Sequence, residues 1–173
     1  MRETILDAAE RRVRQAGYNG FSFRDIAADV GIKSSSVHYH FPGKELLVEA
    51  VADRYVQRTR EWLGDPFGLS AVAAVDRVVY LFLTASETDD LMCLCGILGA
   101  ESGGIPPAVR PRVSAFFVLL VDWLEVALAK STANLSAQEV VAQLEGGLIM
   151  SRTFDDPTVL RNLAAQLTNR AKG

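Results

Sequence analysis

The stretch over residues 21–45 constrains the fold more than any other part of the chain. Ser22 is a favourable N-cap, and Asp25, three residues later, completes a capping-box pattern, so we expect a helix over 23–30. Gly31 then stands where a helix ends with a positive φ, a conformation that glycine adopts without strain. The pattern predicts a short helix that ends in a tight turn.

A second short helix is predicted directly after this turn. Three consecutive serines supply candidates for its N-cap, and Val37 lies on its inner face. Ala27 is small where two helices would cross, and Gly31 stands in the turn between them. This arrangement is typical of a helix-turn-helix, which we assign to residues 22–41.

Residues 5–51 resemble the N-terminal domain of TetR-type (TetR/AcrR-type) transcriptional regulators. The similarity lies in DIAADVGI over Asp25–Ile32 and YHFPGKELL over Tyr39–Leu47, both at the spacing of that family. Gly43 departs from it, since a stronger N-cap is usual there, and His38 replaces a more common Leu or Tyr. The resemblance implies an all-α fold, with a three-helix DNA-binding domain followed by a larger helical ligand-binding and dimerisation domain.

Ten residues in and around the helix-turn-helix are candidates for DNA contacts. Tyr39, Lys44, Arg24 and the region of Ser22 suit phosphates, because they combine hydroxyl or cationic groups with helix N-termini. Five residues on the outer face of the second helix are expected to reach base edges: Lys33, Ser34, Ser35, Ser36 and His38. His40 could serve either purpose. The carry-over from the family is strongest for Tyr39, His40 and Lys44.

Composition and charge fit a globular protein that recognises DNA by a motif and not by bulk charge. The 173 residues are 49% hydrophobic and 23% charged, enough to bury a core, and the formal net charge is −3. Lys and Arg exceed Asp and Glu by one over residues 1–63, and fall short by four over 64–173. This balance argues against a generally basic, nonspecific nucleic-acid binder.

The sequence offers no constellation for catalysis, a cofactor or a metal. Cys93 and Cys95 are two residues apart, about 200° around a helix, so we interpret them as core residues and not as a shared metal or disulfide site. His38 and His40 fail as joint metal ligands for the same reason. The acidic run Glu87–Asp90 is expected to be a solvated loop. With no nucleophile and base, phosphate loop or zinc spacing, we expect no enzyme.

Nine helices are predicted along the chain, and no strand. They cover 3–16, 23–30, a short helix through 37–40 that one of the three serines caps, 44–63, 70–85, 91–100, 107–129, 137–153 and 157–171. The Gly64–Pro66 break divides a DNA-binding domain with its linking helix (1–63) from an effector-binding and dimerisation domain (64–173). No signal peptide is evident, and the most apolar segment, Ala115–Val121, is too short to span a bilayer. A cytoplasmic location is therefore expected.

The last two predicted helices carry wide apolar stripes. We expect these helices to dock on a two-fold copy as a four-helix bundle, which is also the dimer interface of the family that the chain resembles. The candidate interface residues are Val140, Val141, Leu144, Gly147, Leu148, Leu160, Leu163 and Leu167. The alternative is that both stripes are buried within one chain.

The resemblance also implies a ligand cavity between the middle helices. In this chain it would draw on eight residues: Trp62, Phe82, Leu91, Cys95, Phe116, Phe117, Trp123 and Met150. Arg77 or Glu101 are the candidates for its few charges, so a small, neutral or weakly polar hydrophobic effector is expected. The same aromatic residues at helical spacing could instead be ordinary core.

The function expected from the sequence is a homodimeric repressor that a small hydrophobic ligand releases from a palindromic operator. Two alternatives remain open at this stage. One is a DNA-binding activator without a ligand. The other is a protein-interaction module with a degenerate helix-turn-helix, which the net negative charge suggests.

Overall fold

The computed structural model describes residues 1–88 and 90–173, and over these residues all regular secondary structure is helical. Its nine α-helices are α1 (Arg2–Ala16), α2 (Phe23–Val30), α3 (Ser34–His40), α4 (Lys44–Leu63), α5 (Ala71–Leu83), α6 (Leu94–Ala100), α7 (Arg110–Leu128), α8 (Ala137–Phe154) and α9 (Thr158–Arg170). A π-helical turn over Thr84–Thr88 follows α5. The predicted all-α class is confirmed. Asp89, in the predicted acidic loop, lies outside the described residues.

The chain forms two compact units. The first comprises Met1–Arg58 and Leu94–Phe116, and the second comprises Thr59–Cys93 and Phe117–Gly173. The first unit thus includes α6, which packs against α1. Each unit is discontinuous in sequence, whereas the domains predicted from the sequence are continuous. The division at residues 63 and 64 stays a prediction.

The core of the first unit is built from the apolar stripes of α1 to α4. Ile5 of α1, Ile26 of α2 and Leu47 of α4 are completely buried. A buried carboxylate adds a charged tie between α1 and α4, because Glu10 accepts a hydrogen bond of 3.0 Å from Arg54. This packing holds α2 and α3 on a rigid base.

The second unit is centred on the packing of α8 against α9, with α5 in contact with both. Leu144 and Leu160 are completely buried there. Gly147 lies under α9, where a Cβ would come within 2.8 Å of Leu163. At Gly147, α8 and α9 of the same chain therefore approach closely.

Two helices begin later than the sequence pattern predicts. Helix α6 begins at Leu94 and not at residue 91, and α7 begins at Arg110 and not next to Pro107. The reason for the second difference is Pro111, which lacks an N–H and is tolerated in a first turn but not further inside a helix. Among the described residues, no helix is both long and apolar enough to cross a membrane.

Candidate nucleic-acid interface

The N-terminus of α2 is closed by the capping box that the sequence predicts. The Ser22 hydroxyl accepts the Asp25 N–H at 3.4 Å and donates to the Asp25 carboxylate at 2.7 Å, and the Ser22 N–H donates to the same carboxylate at 2.7 Å. These hydrogen bonds hold the pKa of Asp25 below its usual value. The Ser22 hydroxyl and N–H therefore both take part in helix capping. The phosphate contact predicted for Ser22 stays a prediction.

The turn between α2 and α3 has the geometry predicted for Gly31. Its φ is +74° and its ψ is 35°, the left-handed conformation that ends a helix. The Ile32 N–H donates back to the Ala27 carbonyl at 2.9 Å. This turn sets the direction in which α3 leaves α2.

Helix α3 has one buried side and one exposed side. Val37 is completely buried, whereas Ser35, His38 and Tyr39 are exposed at the spacing of one helical face. Tyr39 is 84% exposed, unusually high for a large aromatic side chain. Lys33 is also exposed, and Ser34, Ser36 and His40 are half-buried. The seven-residue helix therefore presents hydroxyl, imidazole and phenol groups outward.

Two ring contacts orient the side chains of this exposed face. The His38 ring meets the buried Phe23 ring edge-on at a centroid distance of 4.7 Å. The Tyr39 and His40 rings meet edge-on at 5.2 Å. Since aromatic pairs of this geometry are favourable, the imidazoles are partly pre-positioned on the helix surface.

Lys44, at the start of α4, is held within the first unit. Its ammonium donates to the Phe21 carbonyl at 2.5 Å and lies over the rings of Tyr18 and Phe21 at 4.8 and 4.2 Å. Partial burial lowers the pKa of Lys44. An ammonium has three donors, so the Phe21 bond leaves others for a phosphate. The predicted phosphate contact stays a prediction, and Lys44 also ties α4 to the end of the α1–α2 link.

Glu101 contacts this part of the molecule, which the sequence did not predict. It directly follows α6, and its carboxylate accepts the Tyr18 N–H at 2.7 Å. Its negative charge also partly offsets the effect of burial on the pKa of Lys44. The sequence suggested Glu101 as a charge in a ligand cavity, and no local pattern could indicate a partner 83 residues away. Its observed role is to anchor α6 to the α1–α2 link.

The cations near the recognition face differ in their exposure and pairing. Arg24 and Lys33 are exposed. Arg12, by contrast, is paired with Asp29 through two hydrogen bonds of 2.6 Å, and this pairing raises the pKa of Arg12 and lowers that of Asp29. An arginine held in this way is less available to phosphates.

Comparison with known proteins identifies the family. Residues 5–51 match the sequence model of the family described as bacterial regulatory proteins, tetR family. The chain is also similar along its length to the crystal structure of a TetR transcriptional regulator from Legionella pneumophila, with a TM-score of 0.87 and 31% identity over 96% of this chain and 95% of that one. The chain belongs to the TetR family.

A curated HTH-type regulator is similar over nearly the same extent. The HTH-type transcriptional regulator LmrA of Bacillus subtilis (strain 168) is 27% identical over 189 residues, spanning 99% of this chain and 96% of that protein. The TetR-family protein described here is a DNA-binding transcriptional regulator and not an enzyme. The function expected from the sequence is confirmed at this level.

The eight residues predicted to line a ligand cavity occupy different surroundings. Phe82, Leu91, Cys95, Phe116 and Trp123 are buried, Phe117 is half-buried, and Trp62 and Met150 are nearly half exposed. Cys95 and Phe116 belong to the first compact unit, and the other six belong to the second. Whether an effector contacts these side chains stays a prediction.

Several of these side chains have structural partners. The Phe116 ring packs against Tyr55 in the first unit, with centroids 5.4 Å apart. In the second unit Trp62 stacks on Tyr80 at 4.9 Å, and the Trp123 indole N–H donates to the Gly64 carbonyl at 2.8 Å. Phe116 and Trp123 are buried in these contacts, whereas Trp62 and Tyr80 stack at the surface. The ligand cavity and the ordinary-core alternative both stay predictions.

The two charged residues predicted for the cavity, Arg77 and Glu101, also have hydrogen-bond partners. Arg77 donates to the Leu63 carbonyl at 2.6 Å, which caps the end of α4 in the second unit. A cavity of about 330 Å³ in that unit lies on α5 and α9 and contains none of the eight residues; it is lined by Val79, Leu83, Arg161, Ala164, Ala165, Thr168 and Asn169. The site predicted from the aromatic residues is therefore not this cavity.

The residues predicted to form a dimer interface are already covered within one chain. Seven are buried, and Leu163 is half-buried: the seven are Val140, Val141, Leu144, Gly147, Leu148, Leu160 and Leu167. Their contacts are the packing of α8 with α9 and α5. Burial within one chain, the alternative expected from the sequence, accounts for the seven buried positions but not for the half-buried Leu163. The dimer interface stays a prediction.

Proposed function

We propose that this TetR-family protein is a homodimeric repressor that binds a palindromic operator and leaves it when a small hydrophobic ligand binds. Sequence-specific DNA binding is supported by the exposed face of α3, where Ser35, His38 and Tyr39 point outward and Val37 points inward. A helix of this kind fits the major groove, where each base pair presents a distinct pattern of donors and acceptors.

The proposed contacts divide by chemistry. Hydroxyls, imidazoles and one ammonium on the outer face of α3 read base edges: Lys33, Ser34, Ser35, Ser36 and His38. Tyr39, Arg24 and Lys44 bind phosphates, with Ser22 near them and His40 available to either group. Since phosphate contacts fix orientation, the Lys44 contacts with α1–α2 help to set the angle at which α3 enters the groove.

The proposed dimer uses the outer face of α8. Ile149, Met150 and Phe154 are 44%, 45% and 60% exposed there, and a Cβ at Gly146 would meet no heavy atom within 4 Å. An apolar face with an open glycine favours close contact with an identical face across a two-fold axis. We therefore assign Met150 to this surface and not to a ligand cavity. The two α3 helices of the dimer, one DNA turn or about 34–36 Å apart, would then match the two half-sites of a palindrome.

The proposed release by ligand is a population shift between two arrangements of the dimer, which differ in the separation of its two α3 helices. Binding within the helical body would tilt α4 and alter the separation of the two recognition helices. Glu101 provides a second connection, because a shift of α6 would act on the α1–α2 link through the Tyr18 N–H. A crystal structure with bound ligand in which the distance between the two α3 helices is unchanged would contradict this mechanism.

Repression, rather than activation, is supported by one named relative. The N-terminal region is 39% identical over 49 residues, 28% of this chain, to the IcaR protein of Staphylococcus aureus, whose name describes a negative transcriptional regulator of a biofilm operon. That similarity covers the DNA-binding part alone. Because the proposed partner is bacterial chromosomal DNA, we place the protein in the cytoplasm.

The test is selection from a pool of random duplexes with the purified protein, repeated across a salt series. Enrichment of a palindrome with half-sites about one turn apart, together with a steep salt slope, is the expected result. The selected duplex then serves to screen compounds for release. No enrichment at low salt would overturn the proposal and favour a protein-interaction module. Enrichment without release by any hydrophobic compound would favour a regulator that needs no ligand.

A further inference from the structure

The second unit contains a carboxylate that faces inward without a partner. Glu145 lies near the middle of α8, and both of its carboxylate oxygens are buried although the residue as a whole is half-buried. Its neighbours one turn away, Val141 and Leu148, are apolar and buried. Long charged side chains ordinarily lay their stem on the protein and keep the charged end in water. Glu145 has the opposite orientation.

Apart from the Cys93 thiol, neither oxygen of Glu145 has a hydrogen-bond partner among the described residues. The thiol lies beside the carboxylate and opposes the effect of burial on its pKa, but a thiol is only a weak donor. Burial dominates and raises the pKa of Glu145 to about 7. Buried charges in proteins are ordinarily paired and hydrogen-bonded, so this carboxylate lacks the partner that its surroundings require.

The arginines of α8 and α9 do not fill this role. Arg152 pairs with Asp90, Arg161 with Glu87, and Arg170 with Glu139, and these ion pairs join N and O atoms at 2.5–2.8 Å. A metal ion is also a poor match, because no group of three His, Cys, Asp or Glu among residues 1–88 and 90–173 could hold one. A cation with its own hydrogen-bond donors and an apolar body suits the site best.

We propose that Glu145 is the anchor of the effector site, and that the effector is a hydrophobic amine. This inference rests on the proposed function, since it names the ligand class of the proposed repressor. The ammonium would pair with the Glu145 carboxylate, and its apolar body would contact the aliphatic side chains around it. It also revises the neutral or weakly polar effector expected from the sequence, because no pattern on α8 distinguishes Glu145 from a solvated glutamate.

The test compares amines with their alcohol counterparts by calorimetry on the DNA-free protein at pH 8. The probes are hexylamine, decylamine and 4-phenylbutylamine, each paired with the alcohol that replaces its ammonium by a hydroxyl. The proteins are the wild type, Glu145→Gln, and Glu125→Gln as a control on an exposed glutamate. Glu145→Gln keeps the side-chain shape but removes the charge.

At least one amine is expected to bind the wild type and Glu125→Gln roughly tenfold or more tightly than its alcohol, because a charge-assisted hydrogen bond replaces a neutral one. Glu145→Gln should lose this preference and keep its affinity for the alcohol. Two results overturn the inference: no amine preference in the wild type, or the same preference in Glu145→Gln. The helical circular dichroism signal of each variant confirms that it is folded.

The same amines added to the protein on its selected duplex separate this inference from the proposed function. Amine preference without DNA release would support the Glu145 site and overturn ligand-controlled release. Absence of amine preference in a protein that still selects a palindrome would overturn the Glu145 site alone. If no duplex is selected, the proposed DNA recognition is contradicted, and the calorimetric result on the Glu145 site is not affected.

Discussion

The carboxylate of Glu101 accepts a hydrogen bond of 2.7 Å from the backbone N–H of Tyr18. Tyr18 belongs to the link between α1 and α2, and Glu101 directly follows α6. Gly17, before Tyr18, has a φ of +74° and a ψ of −173°, a combination that is essentially restricted to glycine. A Cβ at Gly17 would also overlap the Glu101 carboxylate. The contact between α6 and the DNA-binding helices thus depends on a glycine.

Gly17→Ala should destabilise the protein by roughly 1–3 kcal/mol, because it adds backbone strain and displaces Glu101. Urea unfolding at fixed protein concentration measures this free energy. Gly103→Ala is the matched control, since a Cβ there meets no heavy atom within 4 Å, and its effect should stay within about 0.5 kcal/mol. Equal stability of the two variants would show that Gly17 is not required for the contact.

Changes at Ser35 and His38 should alter which sequences are bound. Each side chain is exposed on the outer face of α3, and a good base contact is worth about 1–3 kcal/mol of discrimination. Binding of Ser35→Ala and His38→Ala to single-base variants of the selected duplex measures this preference. Tyr39→Phe is the control, because loss of a phosphate contact should weaken all duplexes alike. A uniform loss for both Ser35→Ala and His38→Ala would contradict the base-reading assignment.

Lys44→Ala should weaken binding to all duplexes by a similar factor and reduce the salt slope by about one, as expected for one phosphate contact. The Phe21 carbonyl also loses its donor, so some loss of stability is expected with the loss of affinity. Electrophoretic binding titrations over a salt series measure both the affinity and the slope. Lys130→Ala, on an exposed lysine outside the DNA-binding helices, is the control. Unchanged affinity at low salt would mean that α3 approaches DNA in another orientation.

The helix-turn-helix was predictable from sequence because local signals determine it. Ser22 with Asp25 fixes the start of α2, and Gly31 fixes its end. The observed bounds of α2 are the predicted ones. Helix α3 begins earlier than the serine pattern predicts, because Lys33 stands at its N-cap without a side-chain cap and all three serines lie inside the helix. Where two local signals compete, the prediction is less accurate: Pro106 and Pro107 suggest an early start for α7, but Pro111 requires a later one.

Long-range partners were not predictable in the same way. The apolar stripe through Leu144 and Leu160 is equally suitable for a partner copy or for the chain itself, and only the packing of α8 on α9 distinguishes the two. Glu101 and Glu145 likewise have no local pattern that reveals their partners or burial. The periodicity of a helix indicates which side is apolar, but not what covers it.

Ile149→Glu and Phe154→Glu should each convert the protein from dimer to monomer, because they place a charge on the proposed two-fold surface. Sedimentation equilibrium at several concentrations measures the molecular mass. Phe67→Glu is the matched control, since it changes an exposed aromatic residue outside α8 and α9. Variants that remain dimeric would exclude this face of α8, and a monomeric wild type would exclude the dimer altogether.

The buried carboxylate of Glu145 should make the protein less stable as the pH rises. Its pKa is about 7 in the folded chain, above the value of 4.5 for an unperturbed glutamate, so the folded state holds a proton that the unfolded state releases between these values. Its favourable contribution is complete below about pH 4.5 and is lost as the pH rises through about 7. At pH 8 Glu145→Gln should therefore be more stable than the wild type, by up to about 3 kcal/mol.

Urea unfolding at pH 5, 6, 7 and 8, with protein concentration held fixed, tests this dependence. The wild type should lose stability over this range, and Glu145→Gln should lose much less. Glu139→Gln is the control on the same helix: Arg170 lowers the pKa of Glu139, so removing this carboxylate should leave the decline from pH 5 to 8 in place. If the stabilities of the wild type and of Glu145→Gln fell equally as the pH rises, the pKa of Glu145 would not be raised in solution. Its carboxylate would then have a cation or a hydrogen-bond donor as a partner. If an amine ligand pairs with it, saturating amine should flatten the wild-type decline, because the bound ammonium stabilises the ionised carboxylate.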